Sequence, residues 1–394
     1  MKQVVFIEVA SQMSGVEFST LYVAQHLDRA AWSPLVVCPE EGDLPSLCRA
    51  ANIDVAIVPR TRFFSTSTRL GTRVFLNPFA ILYNVAALVA SARPLARLLR
   101  DRRPALVVTK GLLAHLYGGL AARWAGIPCV WHVQDRVSER AGKLFPWTAS
   151  ALGRLFAREI IADADSIARQ LRTFVPADRI SVIWNGVDLA QFSPQTDGAA
   201  IRKEWGVCAD DLLIGAIARL TPWKGQEVLV EAFARVVVRF PHARLVLVGS
   251  VLFDTDAYAR RLKAKVSRLG IDERVRFAGF RDDIPQVLAA LDIVAHPSLE
   301  KDSSPLAVVS ALAAGRPVVC SKVDGTAELF EDGVDGLLVP PGDVEALARA
   351  LELLLGDANL RRRLGEAARE KAVRQLSVEQ CAQACQAVFE RVSR

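Results

Sequence analysis

The sequence predicts an α/β protein of two domains, each a parallel β-sheet covered by helices on both faces. Three observations carry this. Short apolar runs alternate with helical stretches through the first half, and runs without polar alternation are what strands buried on both faces require. The pattern relaxes between residues 192 and 211, where PQTDGAA is polar and turn-rich, and then restarts. At 394 residues the chain is also longer than one typical domain.

The elements follow in order. In the first domain, residues 1–192, apolar runs at 4–9, 35–38, 55–58, 106–109, 129–133, 159–162 and 180–183 read as strands. Helical stretches separate them, notably at 16–27, 79–100 and 112–124. In the second domain, residues 193–375, strands are expected at 212–217, 245–248, 275–277, 291–295, 317–320 and 336–339. Helices are expected at 226–240, 257–269, 284–290, 306–314, 344–355 and 359–375. A last helix occupies residues 376–394 and runs to about residue 392.

Composition narrows the class. Apolar residues make up 51% and charged residues 23%, which fits an ordinary globular chain. Seven dispersed cysteines without a C-x-x-C pair point to reduced thiols in a cytosolic protein. The run at 4–9 contains Glu8 and reads as a first strand, not a secretory signal. Residues 74–92 carry no charge, but Asn77, Pro78 and Asn84 and an Ala-rich half argue against a membrane span.

Charge is uneven. Residues 1–192 hold 22 Lys/Arg against 15 Asp/Glu, a balance of +7, and the remainder carries −1. Nine arginines, the first Arg60 and the last Arg103, face one acid, Asp101. Such a segment is either a solvated basic face or one drawn to an anionic membrane or acceptor. No aromatic–basic interleaving marks a nucleic-acid binder.

Ligands of open α/β sheets sit beyond the carboxyl ends of strands, so residues just after strands are the candidates. The stretch HPSLEKDSSPLAVVSALAAGRPVV, residues 296–319, reads as strand end, acidic loop, short helix and second strand. Glu300 and Asp302 lie in its loop, Ser304 is the expected helix cap, Pro305 suits the first turn and Gly315 ends the helix. The helix N-terminus at Leu306 attracts phosphate, and the carboxylates accept hydrogen bonds from sugar hydroxyls. Ser14, Gly15 and Glu17 open the first helix, where Gly15 lets a ligand approach the backbone. They do not form the G-x-G-x-x-G dinucleotide fingerprint. His132 closes the 129–133 strand with Gln134 and Asp135 beside it, suited to a structural role, to a substrate hydroxyl or to proton transfer. Arg219 and Lys224, in RLTPWKG, are a solvated pair or the flanks of a diphosphate, where each would contribute roughly 3 kcal/mol to a developing charge. Asn185-Gly186 is a turn signal.

Jointly these pieces resemble the retaining glycosyltransferases of family 4, which have the GT-B fold. The matching residues are SGVE at 14–17, WHVQD at 131–135, VIWNGVDLAQF at 182–192, ARLTPWKG at 218–225 and RFAGFRDDI at 276–284. HPS at 296–298, ALAAGRPVV at 311–319 and VDGTAELFEDGVDGLLVPPGD at 323–343 complete the set.

The resemblance implies two Rossmann-like domains facing a central cleft that holds a nucleotide-sugar. The second domain then contacts the donor, the first contacts the acceptor, and the last helix crosses back to the first. It implies transfer of a hexose with retention, without metal or cofactor. Arg219 and Lys224 match cations on the donor diphosphate, His132 a histidine near the donor sugar, and Gly15 the loop near the phosphates. Gly279, Phe280 and Arg281 match the backbone that reads the base.

This sequence departs from the family's two glutamates eight positions apart, which correspond to Asp302 and Ser310. Losing the second charge costs roughly 1.5–3 kcal/mol unless a neighbour such as Glu300 replaces it. The first Gly of the family's G-G pair is likewise Ser14.

The expected activity is transfer from a nucleoside-diphosphate sugar to a glycan or lipid-linked glycan in cell-surface polysaccharide or glycolipid synthesis. The expected place is the cytosol, at the inner face of the membrane. The alternatives are an epimerase or hydrolase of the same architecture and a nucleotide-sugar-binding protein without turnover. Lys224→Ala is expected to abolish activity and spare the fold.

Overall fold

Strands made only of apolar residues must be covered on both faces, and the chain places them so. The structure, a computed structural model, describes all residues except 71–72, 135–143, 252–256 and 301. For residues 67–70, 73–76 and 144–146 it describes the backbone alone. Asp135, expected beside His132, lies outside the described residues.

The chain divides into two units. The first comprises Met1–Asp163, Ile167–Ile183 and Ala382–Arg394, and the second Ala164–Ser166 and Trp184–Cys381. The sequence reading draws its boundary at 192/193.

The first unit is built on seven parallel strands: β1 (Lys2–Ile7), β2 (Trp32–Cys38), β3 (Asp54–Ile57), β6 (Leu106–Lys110), β7 (Cys129–Val133), β8 (Glu159–Ala162) and β9 (Ile180–Val182). Their order is β3-β2-β1-β6-β7-β8-β9. The chain works outward from β1 to β3, then returns to the other side of β1, so the order reverses between β1 and β6. Val4, Val36, Leu106, Val130 and Ile160 are fully buried, as strands sandwiched by helices must be. Between β3 and β6 lie an antiparallel hairpin, β4 (Ser67–Leu70) and β5 (Arg73–Leu76), and the long helix Pro78–Arg102. The uncharged run at 74–92 is therefore two elements. Asn77 separates them and caps the helix, its Oδ1 accepting from the Phe79 and Ala80 amides at 3.1 and 3.2 Å.

The final helix, Val378–Val392, ends in this unit. Phe389 is buried edge-on to Phe6 and Trp32, with ring centroids 6.1 and 5.7 Å away. Arg391 pairs with Glu159 of β8 and donates to Ser181 of the edge strand β9 at 3.0 Å.

The second unit carries six parallel strands: β10 (Leu212–Ile217), β11 (Ala243–Val248), β12 (Val275–Gly279), β13 (Ile293–His296), β14 (Val318–Ser321) and β15 (Leu337–Val339). Their order is β12-β11-β10-β13-β14-β15, which reverses between β10 and β13. One face is filled by Leu229, Phe233, Leu262, Leu351 and Leu354, all fully buried. A reversal point leaves a crevice at the carboxyl ends of the two diverging strands. In this unit that is where Arg219 and Asp302 follow their strands.

Candidate active site

The segment after β10 is shaped to deliver two cations. Pro222 starts a single 3-10 turn, Pro222–Lys224, and Gly225 ends it at φ +68°. A Cβ on Gly225 would lie 2.0 Å from the Pro297 carbonyl oxygen, so this backbone is pressed against the loop after β13. The Leu299 amide donates to the Trp223 carbonyl at 2.7 Å and fastens the two loops together. Arg219 stays exposed, its guanidinium 5.9 Å from the Trp223 ring, while the Lys224 ammonium lies 4.3 Å from the same ring.

Lys224 reaches the loop after β13 and donates to both Asp302 oxygens at 2.8 Å. Asp302 is buried, and His296 Nε2 lies 2.8 Å from its Oδ2. The Ser298 hydroxyl donates to the same oxygen. Burial by itself pushes this carboxyl up, but Lys224 and His296 outweigh burial and hold it well below the usual carboxylate range. Burial also lowers His296, although Asp302 opposes the shift, so the ring is neutral at pH 7 and donates from Nε2. Lys224, His296, Ser298 and Asp302 thus form one closed cluster at the order reversal.

The helix that follows, Leu306–Ala313, begins where the sequence reading has it and ends one residue earlier. Ser304 does not cap it. Pro305 occupies the cap position at φ −67°, ψ 121°, and no side chain caps the helix. The Ser304 hydroxyl instead accepts the Asn185 amide at 3.1 Å, and Asn185 Nδ2 donates to the Ser304 carbonyl at 2.8 Å. Asn185 is buried, so the Asn-Gly turn is tied to the loop after β13 through Ser304. Leu306 opens the helix, and Ser310 is buried in its second turn. Glu300 is half-buried, two positions before Asp302. Gly315 ends the helix at φ +65°.

Gly279 closes β12 at the sheet's edge, and its carbonyl accepts the Gly249 amide at 2.7 Å. Phe280 is 61% exposed. Arg281 turns its guanidinium to Glu204, at 2.8 and 3.1 Å, and to Asp283. Its side chain is committed to carboxylates, which leaves the local backbone and the Phe280 ring as the groups free to meet a ligand.

In the first unit, Ser14 precedes the helix Gly15–His26 and donates to Glu17, which is buried. A Cβ on Gly15 would meet nothing within 4 Å, so no protein neighbour requires glycine there. His132 is buried, its Nε2 2.7 Å from Asp163 Oδ1. Burial and Lys110 lower its pKa against the pull of Asp163, so it too is neutral at pH 7, and Nδ1 is the ring atom not held by Asp163.

Sequence reasoning missed His296 and Ser298 as partners of Asp302, reading them as a strand end within a family motif and giving them no role. It also missed Glu8 and Lys110, which end β1 and β6 at the other reversal point. Lys110 is buried and donates to Ser19 at 3.0 Å. Glu8 is buried and accepts from Thr20. Burial raises it to about 8, with Lys110 opposing and Glu17 adding. The available signal was a charged residue closing an otherwise apolar run.

Two sheets of this kind with a cation–carboxylate cluster at one reversal point define a Rossmann-like two-unit protein of the GT-B class. A model for Glycosyltransferase Family 4 matches residues 13–191, and one for Glycosyl transferases group 1 matches residues 197–371. The chain is 30% identical over 364 residues to the D-inositol 3-phosphate glycosyltransferase of Kribbella flavida, covering 82% of this chain and 84% of that one. It is 25% identical over 368 residues to the UDP-Gal:alpha-D-GlcNAc-diphosphoundecaprenol alpha-1,3-galactosyltransferase of Escherichia coli, covering 90% and 88%. The crystal structure of Anabaena Alr3699/HepE in complex with UDP and glucose superimposes with a TM-score of 0.84 at 27% identity, covering 99% of this chain and 100% of that one. The chain spans about half the length of several other relatives it matches. It belongs to glycosyltransferase family 4.

Proposed function

We propose that the chain transfers a hexose, with retention, from a nucleoside-diphosphate sugar to a hydroxyl of a glycan or lipid-linked glycan. The observation that carries this reading is the Lys224–Asp302 pair at the β10/β13 reversal, with exposed Arg219 next to it. An ammonium has three N–H bonds. Two are spent on Asp302 and the third is left for a phosphate oxygen, so Lys224 can hold the carboxylate and a diphosphate together. Arg219 adds a second cation on the same side of Trp223 as solvent.

In the proposed step the bond between the anomeric carbon and the diphosphate oxygen breaks, and its electron pair stays on that oxygen. The acceptor oxygen bonds to the anomeric carbon from the same face. The acceptor proton passes to the departing oxygen. Arg219 and Lys224 meet the charge that develops there, which is work that otherwise falls to a metal. Asp302, kept ionised, accepts a donor-sugar hydroxyl, and the first turn of the Leu306 helix faces a phosphate. Gly279, Phe280 and the backbone of Arg281 take the base. Glu300 and Ser310 contribute neighbouring polar groups, Ser310 as a ribose contact without charge. Ser14, Gly15 and Glu17 leave room for a phosphate at a helix start. His132 offers Nδ1 to a hydroxyl.

UDP is the preferred nucleotide because the Anabaena relative binds UDP and UDP-glucose. A lipid-linked acceptor is supported by the Escherichia coli relative, whose name gives such an acceptor for that enzyme, and with it the proposed reaction runs at the inner face of a membrane in polysaccharide or glycolipid synthesis. The test is incubation with UDP-, GDP- and ADP-sugars and a pool of glycan and lipid-linked acceptors. Nucleotide release that depends on acceptor supports transfer. Release without acceptor product assigns hydrolysis, and binding without turnover on every acceptor contradicts an enzyme.

A further inference from the structure

The helix Pro78–Arg102 is long and uncharged at its start, yet it is not buried there. Its inner face, with Ala87, Ala92, Leu95 and Leu99, is buried, and it packs along the helix Leu112–Ala125. In its first two turns only Ala80 is buried. Phe79 is 83% exposed, Leu82 71% and Val85 58%. The preceding segment adds to this patch. Asn84 holds the Phe64 backbone from both sides, accepting its amide at 3.0 Å and donating to its carbonyl at 2.8 Å. The Phe64 ring, half exposed, rests 5.0 Å from Tyr83. Arg62, exposed, lies 5.9 Å from the same ring. Further along the outer face, Arg93, Arg97 and Arg100 are exposed at i, i+4 and i+7, in line with Phe79 and Leu82 at helical spacing.

We propose that this surface docks the protein on an anionic lipid bilayer: Phe79, Leu82 and Phe64 enter the headgroup–acyl boundary, and Arg62 and the arginine stripe lie on the headgroups. A contiguous exposed apolar patch calls for an occupant, and charge selects which. Nine arginines against one acid between residues 60 and 103 make this stretch of chain basic, and the exposed Arg62, Arg93, Arg97 and Arg100 repel a second copy of the same surface and attract anionic headgroups. The sequence reading assigns membrane contact to the arginines alone. The structure makes exposed aromatic and aliphatic side chains the anchor. This holds whether or not the proposed transfer is correct, because it needs no donor and no turnover.

The test is sedimentation of the full chain with phosphatidylcholine vesicles, with and without phosphatidylglycerol. Binding is expected only with the anionic lipid and is expected to weaken as salt rises. Phe79→Asp with Leu82→Asp should lower partitioning by more than about tenfold, and reversing Arg93, Arg97 and Arg100 to Glu by at least on the order of a hundredfold. Unchanged melting temperatures establish that these exposed variants fold. Equal binding to neutral vesicles, no binding to anionic ones, or parent-like binding by the apolar variant would overturn the proposal. So would a parent dimer in solution that the apolar variant breaks.

Discussion

The two reversal points of this molecule use the same kinds of residue to opposite effect. Each sheet places a lysine and a carboxylate at the carboxyl ends of its diverging strands. In the second unit they touch: Lys224 bonds both oxygens of Asp302, with His296 and Ser298 completing the shell. In the first they are held apart. Lys110 is bonded to Ser19, Glu8 is bonded to Thr20, and Glu8 Oε2 is buried with no hydrogen-bond partner among the described residues. Charge pairing outweighs burial for Asp302, and burial outweighs charge for Glu8. One edge therefore keeps a fixed negative charge, while the other keeps a carboxyl that holds its proton at neutral pH. Position in the fold selects where a site forms, and direct contact decides its protonation.

The largest expected effect comes from breaking the closed pair. The sequence reading expects Lys224→Ala to spare the fold, but the structure changes that expectation. The substitution strands Asp302 as a buried carboxylate, and removing one partner of a buried pair costs about 3–5 kcal/mol. A matched Lys110→Ala should cost less, because Lys110 does not contact Glu8. Denaturant unfolding of both variants checks this, and equal losses would erase the distinction between the two edges.

Next come opposite pH signs. Glu8 has a folded pKa raised to about 8, so its contribution to stability is full below its unfolded value and is lost as pH rises toward and through about 8. Asp302 is depressed, so its contribution is present above its unfolded value and is lost as pH falls below it. Melting temperature against pH should flatten between about pH 4.5 and 8 in Glu8→Gln and below the ordinary carboxylate range in Asp302→Asn. The same profile in both variants would contradict the assignment.

A smaller effect is expected from His296→Ala, which removes one charge-assisted hydrogen bond on Asp302 worth about 1.5–3 kcal/mol. His296→Asn, which keeps a donor, should restore part of that stability. Ser304→Ala should cost only about 1 kcal/mol, through the Asn185 amide rather than through the helix. A helix-cap role would instead leave the Asn185 amide's hydrogen exchange unchanged.

Most of the fold was legible because parallel strands buried on both faces read as unbroken apolar runs, such as LLIGAI for β10. The hairpin was not legible. STRL and RVFL mix polar and apolar residues over four positions each, too few to show a period. Arg219, Lys224 and Asp302 stood out because polar residues just after a strand have a topological reason to be there. Ser304 was misplaced by one step, since Pro305 takes the cap position and the Ser304 hydroxyl answers to Asn185, 119 residues away. Lys110 and Ser19, 91 residues apart, meet only through the β1/β6 pairing, which local pattern does not encode.

The central claim is that the β10/β13 reversal binds a nucleoside diphosphate through Arg219 and Lys224. Arg219 is exposed, so it can be removed without stranding a buried charge. Titration calorimetry of UDP into the parent chain and Arg219→Ala tests the claim directly. The account predicts saturable binding by the parent and a loss of about tenfold or more in the variant, the value of one charge-assisted hydrogen bond to phosphate. Equal affinity in the two proteins, or no binding by the parent, would contradict it.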